Sequence, residues 1–183
     1  MEQPTLTSER LILRPFDAGD AAAVQTLAGD REIADTTLRI PHPYEDGMAD
    51  EWIAAHRGQF EAGTMAVFAI ELKSDGELAG AISLTIERGL LKAEMGYWVG
   101  TPFWNKGYCT EAARRIVEYG FEDLGLNRIA AQHFVRNPSS GRVMQKIGMR
   151  HEGTLKEAAI KWDRFEDLEL YSLLRREWLA TRV

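Results

Sequence analysis

Residues 94–112 read Glu-Met-Gly-Tyr-Trp-Val-Gly-Thr-Pro-Phe-Trp-Asn-Lys-Gly-Tyr-Cys-Thr-Glu-Ala, and this stretch predicts a strand, a tight loop and the start of a helix. Ala93, Met95, Tyr97 and Val99 alternate with Glu94, Gly96 and Trp98, the period-2 pattern of a half-buried strand. Gly100, Thr101 and Pro102 break it. Beyond the loop, Ala113, Ile116, Val117, Gly120, Phe121 and Leu124 recur at helical spacing and make one continuous apolar face. Between strand and helix, residues 105–110 feed backbone N–H groups into a helix N-terminus. Free amides and the positive end of the helix dipole then point the same way, which suits a phosphate.

The pattern continues on both sides of this stretch. Residues 10–14 form a short strand limited by Pro15, Asp17 caps a helix reaching about Gly29, and Asp30 caps a turn around Ile33. A loop with Pro41 and Pro43 follows. Asp46 is then expected to cap a helix that carries Met48, Trp52, Ala55, Gln59 and Phe60 inward and ends at Gly63. Residues 65–72 and 78–86 are two strands joined through Ser74-Asp75-Gly76, a hairpin signal, and the first is apolar on both faces, as an interior strand should be. After the central helix, which ends near Gly125, come a strand over 128–135 and a helix beginning at Ser139 or Ser140 and ending at Gly148. Strands over about 151–160 and 167–174 follow, with Trp178 packed down in a last helical turn. Interleaved strands and helices with no linker or repeat predict a single α/β domain over residues 1–183. Its mixed central sheet is flanked by helices on both faces.

Composition narrows the function. Of the 183 residues, 45% are apolar and 27% charged, a globular balance large enough for one sizeable core. The net charge of −6 argues against nucleic acid as a partner and is compatible with a cationic one such as an amine. No apolar run is long enough to span a membrane, the N-terminus lacks a secretory signal, and Cys109 is the single cysteine; a cytoplasmic location is expected. The four histidines show no metal-ligand spacing with one another or with Cys109, so no metal is expected. Neither a Walker sequence nor a G-x-G-x-x-G after a strand is present.

The element order together with the loop resembles the GNAT superfamily of acyl-CoA-dependent N-acetyltransferases, and within it the RimJ/RimL type. The resemblance covers nearly the whole chain. It is carried by residues 8–16 as the first strand, 96–99 as the central strand, 104–112 as the coenzyme A loop, and 137–140 with 146–149 as the later helix. It implies the GNAT fold, acetyl-CoA as co-substrate, direct transfer of acetyl to a primary amine on a protein N-terminus or a small molecule, and a possible homodimer. The competing reading is a non-catalytic acyl-CoA-binding sensor or interaction module on the same fold. Two positions depart from the family pattern: Asn105 stands where glycine is usual, and Cys109 where alanine or glycine is. Asn tolerates φ > 0 better than most residues, so the loop is expected to form. Met144 stands where many GNAT enzymes carry a tyrosine acid, which the RimJ/RimL type commonly lacks.

The resemblance assigns coenzyme binding to Trp98, Val99, Trp104, Asn105, Lys106, Gly107, Tyr108, Cys109, Thr110, Asn137 and Ser140. The amides of 105–110 would hold the pyrophosphate and an N–H near Val99 would meet the thioester carbonyl. Lys106 adds charge beside the loop or is a solvated lysine, and Asn137 bonds the pantetheine, closes an Asx turn before Pro138, or both. Ser140 is the candidate proton donor to the departing thiolate; helix capping is its structural alternative. Glu94 is the leading base and an ordinary strand carboxylate otherwise. Asp167 is the second, set against a pairing with Arg164. Cys109, at a helix N-terminus, invites an acidified thiol and an acyl-cysteine, against the direct transfer that the family uses. The acceptor pocket is expected from the early helices and the 37–50 loop, with Tyr44, Trp52, Trp162 and Phe165 as candidate linings.

Overall fold

A computed structural model describes residues 2–181 and builds them around one eight-stranded sheet. The strands are β1 (Leu6–Thr7), β2 (Leu11–Arg14), β3 (Met65–Leu72), β4 (Leu78–Glu87), β5 (Lys92–Val99), β6 (Arg128–Phe134), β7 (Arg150–Lys161) and β8 (Arg164–Leu174), in the spatial order 1-2-3-4-5-6-8-7. Every neighbouring pair is antiparallel except β5 with β6. The helices are α1 (Ala21–Ala28), α2 (Arg31–Thr36), α3 (Met48–Glu61), α4 (Tyr108–Glu122), α5 (Pro138–Lys146) and α6 (Arg175–Ala180). A parallel pair needs a crossover, and α4 supplies it.

Alternation along the strands divides the side chains between two layers. Phe68, Ile70, Ile82, Leu84, Ala93 and Met95 face α4, whose Ala113, Ile116, Val117 and Phe121 complete the larger core. Trp178 of α6 closes its end against Phe121, ring centroids 5.4 Å apart. On the other face Ala69 and Leu78 meet Val24 and Ala28 of α1 and Ala49 and Ile53 of α3. Arg14 ties this layer to the sheet: its guanidinium makes two 2.8 Å bonds to Asp20 and one of 2.5 Å to Glu71.

Several expected boundaries move. Asp17 caps a 3-10 turn, Ala18–Asp20, before α1 begins. Asp46 does not cap α3. Its carboxylate accepts from Gln25 Nε2 at 2.6 Å, and Gly47, at φ +85°, is the capping residue. The buried face of α3 is Ala49, Ile53 and His56; Met48, Trp52, Ala55 and Gln59, the expected inward face, line a cavity instead. α5 starts at Pro138 with Asn137 as its cap, one or two residues before the expected serine. The β7–β8 turn is Trp162-Asp163, both at positive φ (52° and 59°), the geometry of a two-residue type I′ hairpin reached without glycine. No helix of the described residues is long and apolar enough to cross a membrane.

His56 carries a cost. It lies between Phe16 and Trp52, ring centroids 5.5 and 4.4 Å away, and neither ring nitrogen has a hydrogen-bond partner. Burial pushes its pKa down from 6.5 to about 4. The unfolded chain binds this proton more readily than the fold does, so stability falls as pH drops from 6.5 towards 4, by up to about 1.4 kcal/mol per pH unit. His56→Phe is expected to flatten that limb in urea unfolding at pH 5 and pH 7; equal pH slopes in the two proteins would refute the assignment.

Candidate active site

The site begins where the sheet comes apart. β5 pairs with β6 only over Lys92, Ala93 and Glu94 (opposite Arg128, Ile129 and Ala130), and past Glu94 the two strands diverge. The Gly100 N–H bonds to Ala79 O at 2.9 Å. Counting back in twos along this antiparallel ladder turns the backbone groups of Trp98 and Gly96 towards β4, and those of Tyr97 and Val99 towards the gap. The Val99 carbonyl is taken by the Trp104 indole, Nε1 to O 2.6 Å. The Val99 N–H and both backbone groups of Tyr97 remain as an open edge inside the fold.

The loop after β5 ends beside this gap. Asn105 at φ +60° and Gly107 at φ +84° are both left-handed, so the chain curls into α4 with no side-chain cap. The first backbone bond of the helix is Glu111 N–H to Gly107 O, 3.1 Å. No acceptor among the described residues takes the N–H groups of Lys106, Gly107, Tyr108, Cys109 or Thr110. Five consecutive free donors at a helix N-terminus form an anion cradle. The Lys106 ammonium lies 5.6 Å from the Phe103 ring centroid.

A network that sequence reasoning missed holds this loop against β2. Glu111 accepts from the Arg10 backbone N–H (2.7 Å), Arg10 Nε (2.7 Å) and Ser8 Oγ (2.8 Å). Arg10 Nη1 also donates to Lys106 O at 3.0 Å, and its guanidinium covers the Tyr108 ring at 4.8 Å. Burial alone would raise the Glu111 pKa, but these donors outweigh it and hold the carboxyl below its ordinary value. The available signal was Glu111 in the first turn of a helix whose N-terminal loop is otherwise uncharged except for Lys106.

Across the gap, α5 meets β5. The Tyr97 and Ser140 hydroxyls are 2.8 Å apart, and Tyr97 OH donates to the Ser140 carbonyl at 3.0 Å, which leaves the Ser140 hydroxyl to donate to Tyr97. Burial pushes the Tyr97 phenol pKa up, with Cys109 adding to the rise and the Ser140 bond opposing it. Ser140 therefore does not cap α5. Cys109 packs against the large core, and burial pushes its thiol up to about 12. The acidification that a helix N-terminus can bring does not hold here, because burial pushes the thiol the other way.

On the opposite face of the sheet lies a cavity of about 750 Å³. Glu94, Gly96 and Trp98 of β5 line it, with Ser83 and Thr85 of β4, Tyr44, the outward face of α3, and the 36–41 segment. Trp98 therefore faces this cavity with its backbone spent on β4, and the same cavity reaches Tyr97 and Ser140 at the gap. The far wall is held by the β7–β8 hairpin. Trp162 Nε1 donates to Asp35 (3.0 Å), Lys161 Nζ donates to Ile40 O (2.7 Å), and Arg136 bridges Asp35 and Glu166 at 2.9 Å each. Trp162 thus fastens the wall instead of lining it, and Phe165 points to solvent, 66% exposed. Asn137 Nδ2 reaches Thr36 O at 3.5 Å and closes no Asx turn. Asp167 lies outside the cavity lining and, among the described residues, pairs with no arginine; it accepts from the Glu157 N–H at 2.7 Å, where β7 bulges.

Residues 10–150 match the family model described as an acetyltransferase (GNAT) domain. The chain is 34% identical over 174 residues to "Uncharacterized N-acetyltransferase YnaD" of Bacillus subtilis (strain 168), covering 94% of this chain and 98% of that protein. It is 42% identical over 105 residues to "Putative ribosomal N-acetyltransferase YdaF" of the same strain, 57% of either chain. The solved structure of RimL, a ribosomal L7/L12 α-N-protein acetyltransferase in complex with coenzyme A, superposes with a TM-score of 0.86 over 93% of this chain and 98% of that one. At 18% identity that likeness is one of fold.

The two left-handed positions of the loop predict opposite responses. Gly107→Ala forces a side chain into φ +84° with its Cβ 3.4 Å from Arg10 Nη2, and is expected to cost about 1–2 kcal/mol. Asn105→Gly is expected to stay within about 0.5 kcal/mol of the parent. Urea midpoints measure both, and equal shifts would contradict the loop geometry.

Proposed function

The chain belongs to the GNAT family of acetyltransferases, and on that premise we propose that it transfers acetyl from acetyl-CoA directly to a primary amine at the gap between β5 and β6. N-acetyltransfer itself is the activity of the family and of its named relatives. The observation that carries the site assignment is the open backbone edge at Tyr97 and Val99, ending at five unpartnered amides. That edge fits a pantetheine arm, which is itself a chain of amides, and the cradle at Lys106–Thr110 fits a pyrophosphate.

Acetyl-CoA supplies an already activated thioester, so the residues have to align, deprotonate and stabilise. The amides of Tyr97 and Val99 bind the arm and meet the carbonyl oxygen as it gains negative charge. Glu94 lies on the cavity side, three residues before Tyr97, about 10 Å along the strand at a strand's rise per residue. It therefore takes the ammonium proton through water. The N–C bond forms as the C–S bond breaks. Of the two protons the nitrogen loses, one leaves by Glu94 to solvent and one ends on the thiolate by relay through the Ser140 hydroxyl, which turns its own proton from Tyr97 to the sulfur and takes the amine's proton in exchange. Cys109, un-ionised and packed in the core, takes no covalent part. Asp167 is occupied in shaping β7.

Thiol release from acetyl-CoA over an amine and peptide panel tests this reading. Ser140→Ala is expected to lower kcat about 10- to 100-fold with KM for acetyl-CoA little changed, and Glu94→Gln to lower kcat/KM for the amine about 100-fold. Tyr97→Phe, which keeps the Ser140 hydroxyl, is expected to lose less than Ser140→Ala. Parent-like rates in both Ser140→Ala and Glu94→Gln would remove these roles; no turnover with any amine despite tight coenzyme A binding would remove the activity.

A further inference from the structure

Among the described residues lining the 750 Å³ cavity, Glu94 and Arg39 alone carry a formal charge at neutral pH with histidine neutral. Neither side chain makes a hydrogen bond or ion pair among the described residues, and both are exposed to solvent. That is unusual in this neighbourhood. Arg14 is committed to Asp20 and Glu71, Arg136 to Asp35 and Glu166, and even the Lys161 ammonium finds the Ile40 carbonyl. The last of these bonds sits next to Arg39 in the chain, so the backbone that presents Arg39 is pinned to the β7–β8 hairpin. An arginine held over a cavity with its fork unpaired is suited to a planar carboxylate.

Resting on the activity proposed above, we propose that the acceptor is a small zwitterionic amine, an amino acid or dipeptide with an uncharged side chain, whose ammonium lies on the Glu94 side and whose carboxylate is taken by Arg39. The remaining lining supports this. Gln59 Oε1 is a buried acceptor with no partner, available to an ammonium N–H, and Ser83 and Thr85 line the same cavity. Tyr44, Met48, Trp52, Phe134 and Leu168 offer apolar surface for a side chain without charge. The volume is that of a small-molecule site. A polyamine would bring several positive charges to one carboxylate and set one of them against Arg39. A protein N-terminus would bring an amine but no α-carboxylate, and would leave the Arg39 fork unused.

Calorimetric titration of the coenzyme A-loaded protein with L-phenylalanine, L-leucyl-L-phenylalanine, the C-terminal amide of each, and spermidine tests this directly, with thiol release measured on the same panel. At least one free acid is expected to bind ten-fold or more tighter than its amide, and spermidine more weakly than that acid. Arg39→Gln is expected to erase the acid-over-amide ratio and Arg39→Lys to keep part of it. Amides binding as well as acids, spermidine preferred, no acid binding at all, or a ratio unmoved in Arg39→Gln would each overturn the inference. Acids bound selectively but never acetylated would support the Arg39 carboxylate site while refuting the transferase reading; acids and amides acetylated alike would do the reverse.

Discussion

A β-strand in the middle of a sheet normally spends all its backbone donors and acceptors on its neighbours, and here β5 does so on one side only. Past Glu94 its β6-facing groups have no strand to pair with, although Met95 and Val99 are buried. Buried backbone groups left without partners are expensive, so such an edge persists only where the surroundings hold it open. Three features do that. α4 packs beneath β5 through the large core, α5 stands on the far side with Ser140 bonded to Tyr97, and Trp104 reaches back to the Val99 carbonyl. The cavity, the anion cradle and the proton-donor pair are all placed by this one divergence.

The stretch that announced the fold was legible because each of its signals has a single local cause. Period-2 alternation from Ala93 to Val99, the break at Gly100-Thr101-Pro102 and helical spacing from Ala113 onwards depend on near neighbours, and all three appear in the structure. Asn105 at φ +60° bears out the expectation that asparagine can stand where the family has glycine. The Tyr97–Ser140 pair was not legible as a pair. Its members lie 43 residues apart, and only the parallel crossover through α4 and β6 brings them within 2.8 Å. Ser140 and Tyr97 could each be singled out in the sequence, but nothing local says that they touch.

Errors at the helix ends have the same origin. Asp46 followed by a helical pattern is a sound cap signal, yet Gln25 of α1 takes its carboxylate and Gly47 turns the chain. Arg164, three residues earlier at the start of β8, is the nearest candidate partner for Asp167 in the sequence, whereas the carboxylate takes the Glu157 N–H that a bulge in β7 leaves exposed. A bulge inserts residues without changing the apparent alternation enough to be seen in a single sequence. For Cys109 the sequence carried two opposed terms, the helix N-terminus that lowers a thiol pKa and the burial that raises it. Only the packing decides between them, and burial dominates.

Helix α3 shows why a binding surface is harder to read than a core. Its apolar residues fall into two stripes, Ala49-Ile53-His56 and Met48-Trp52-Ala55-Gln59, and hydrophobic periodicity gives no reason to prefer one as the buried side. The second stripe has the larger side chains, so sequence reasoning turned it inward. The structure packs the smaller stripe because α1 and the sheet approach closely there, and close approach favours Ala49 over Met48. What is left over is a wide apolar face with nowhere to pack, looking across at Glu94 and up at Arg39. A cavity of this kind is the same residues that would have made a core, kept apart by a loop and a hairpin fastened to each other through Asp35, Lys161 and Arg136. Its two unpaired charges are tolerable because water reaches them, and that same access makes them free to recognise a ligand.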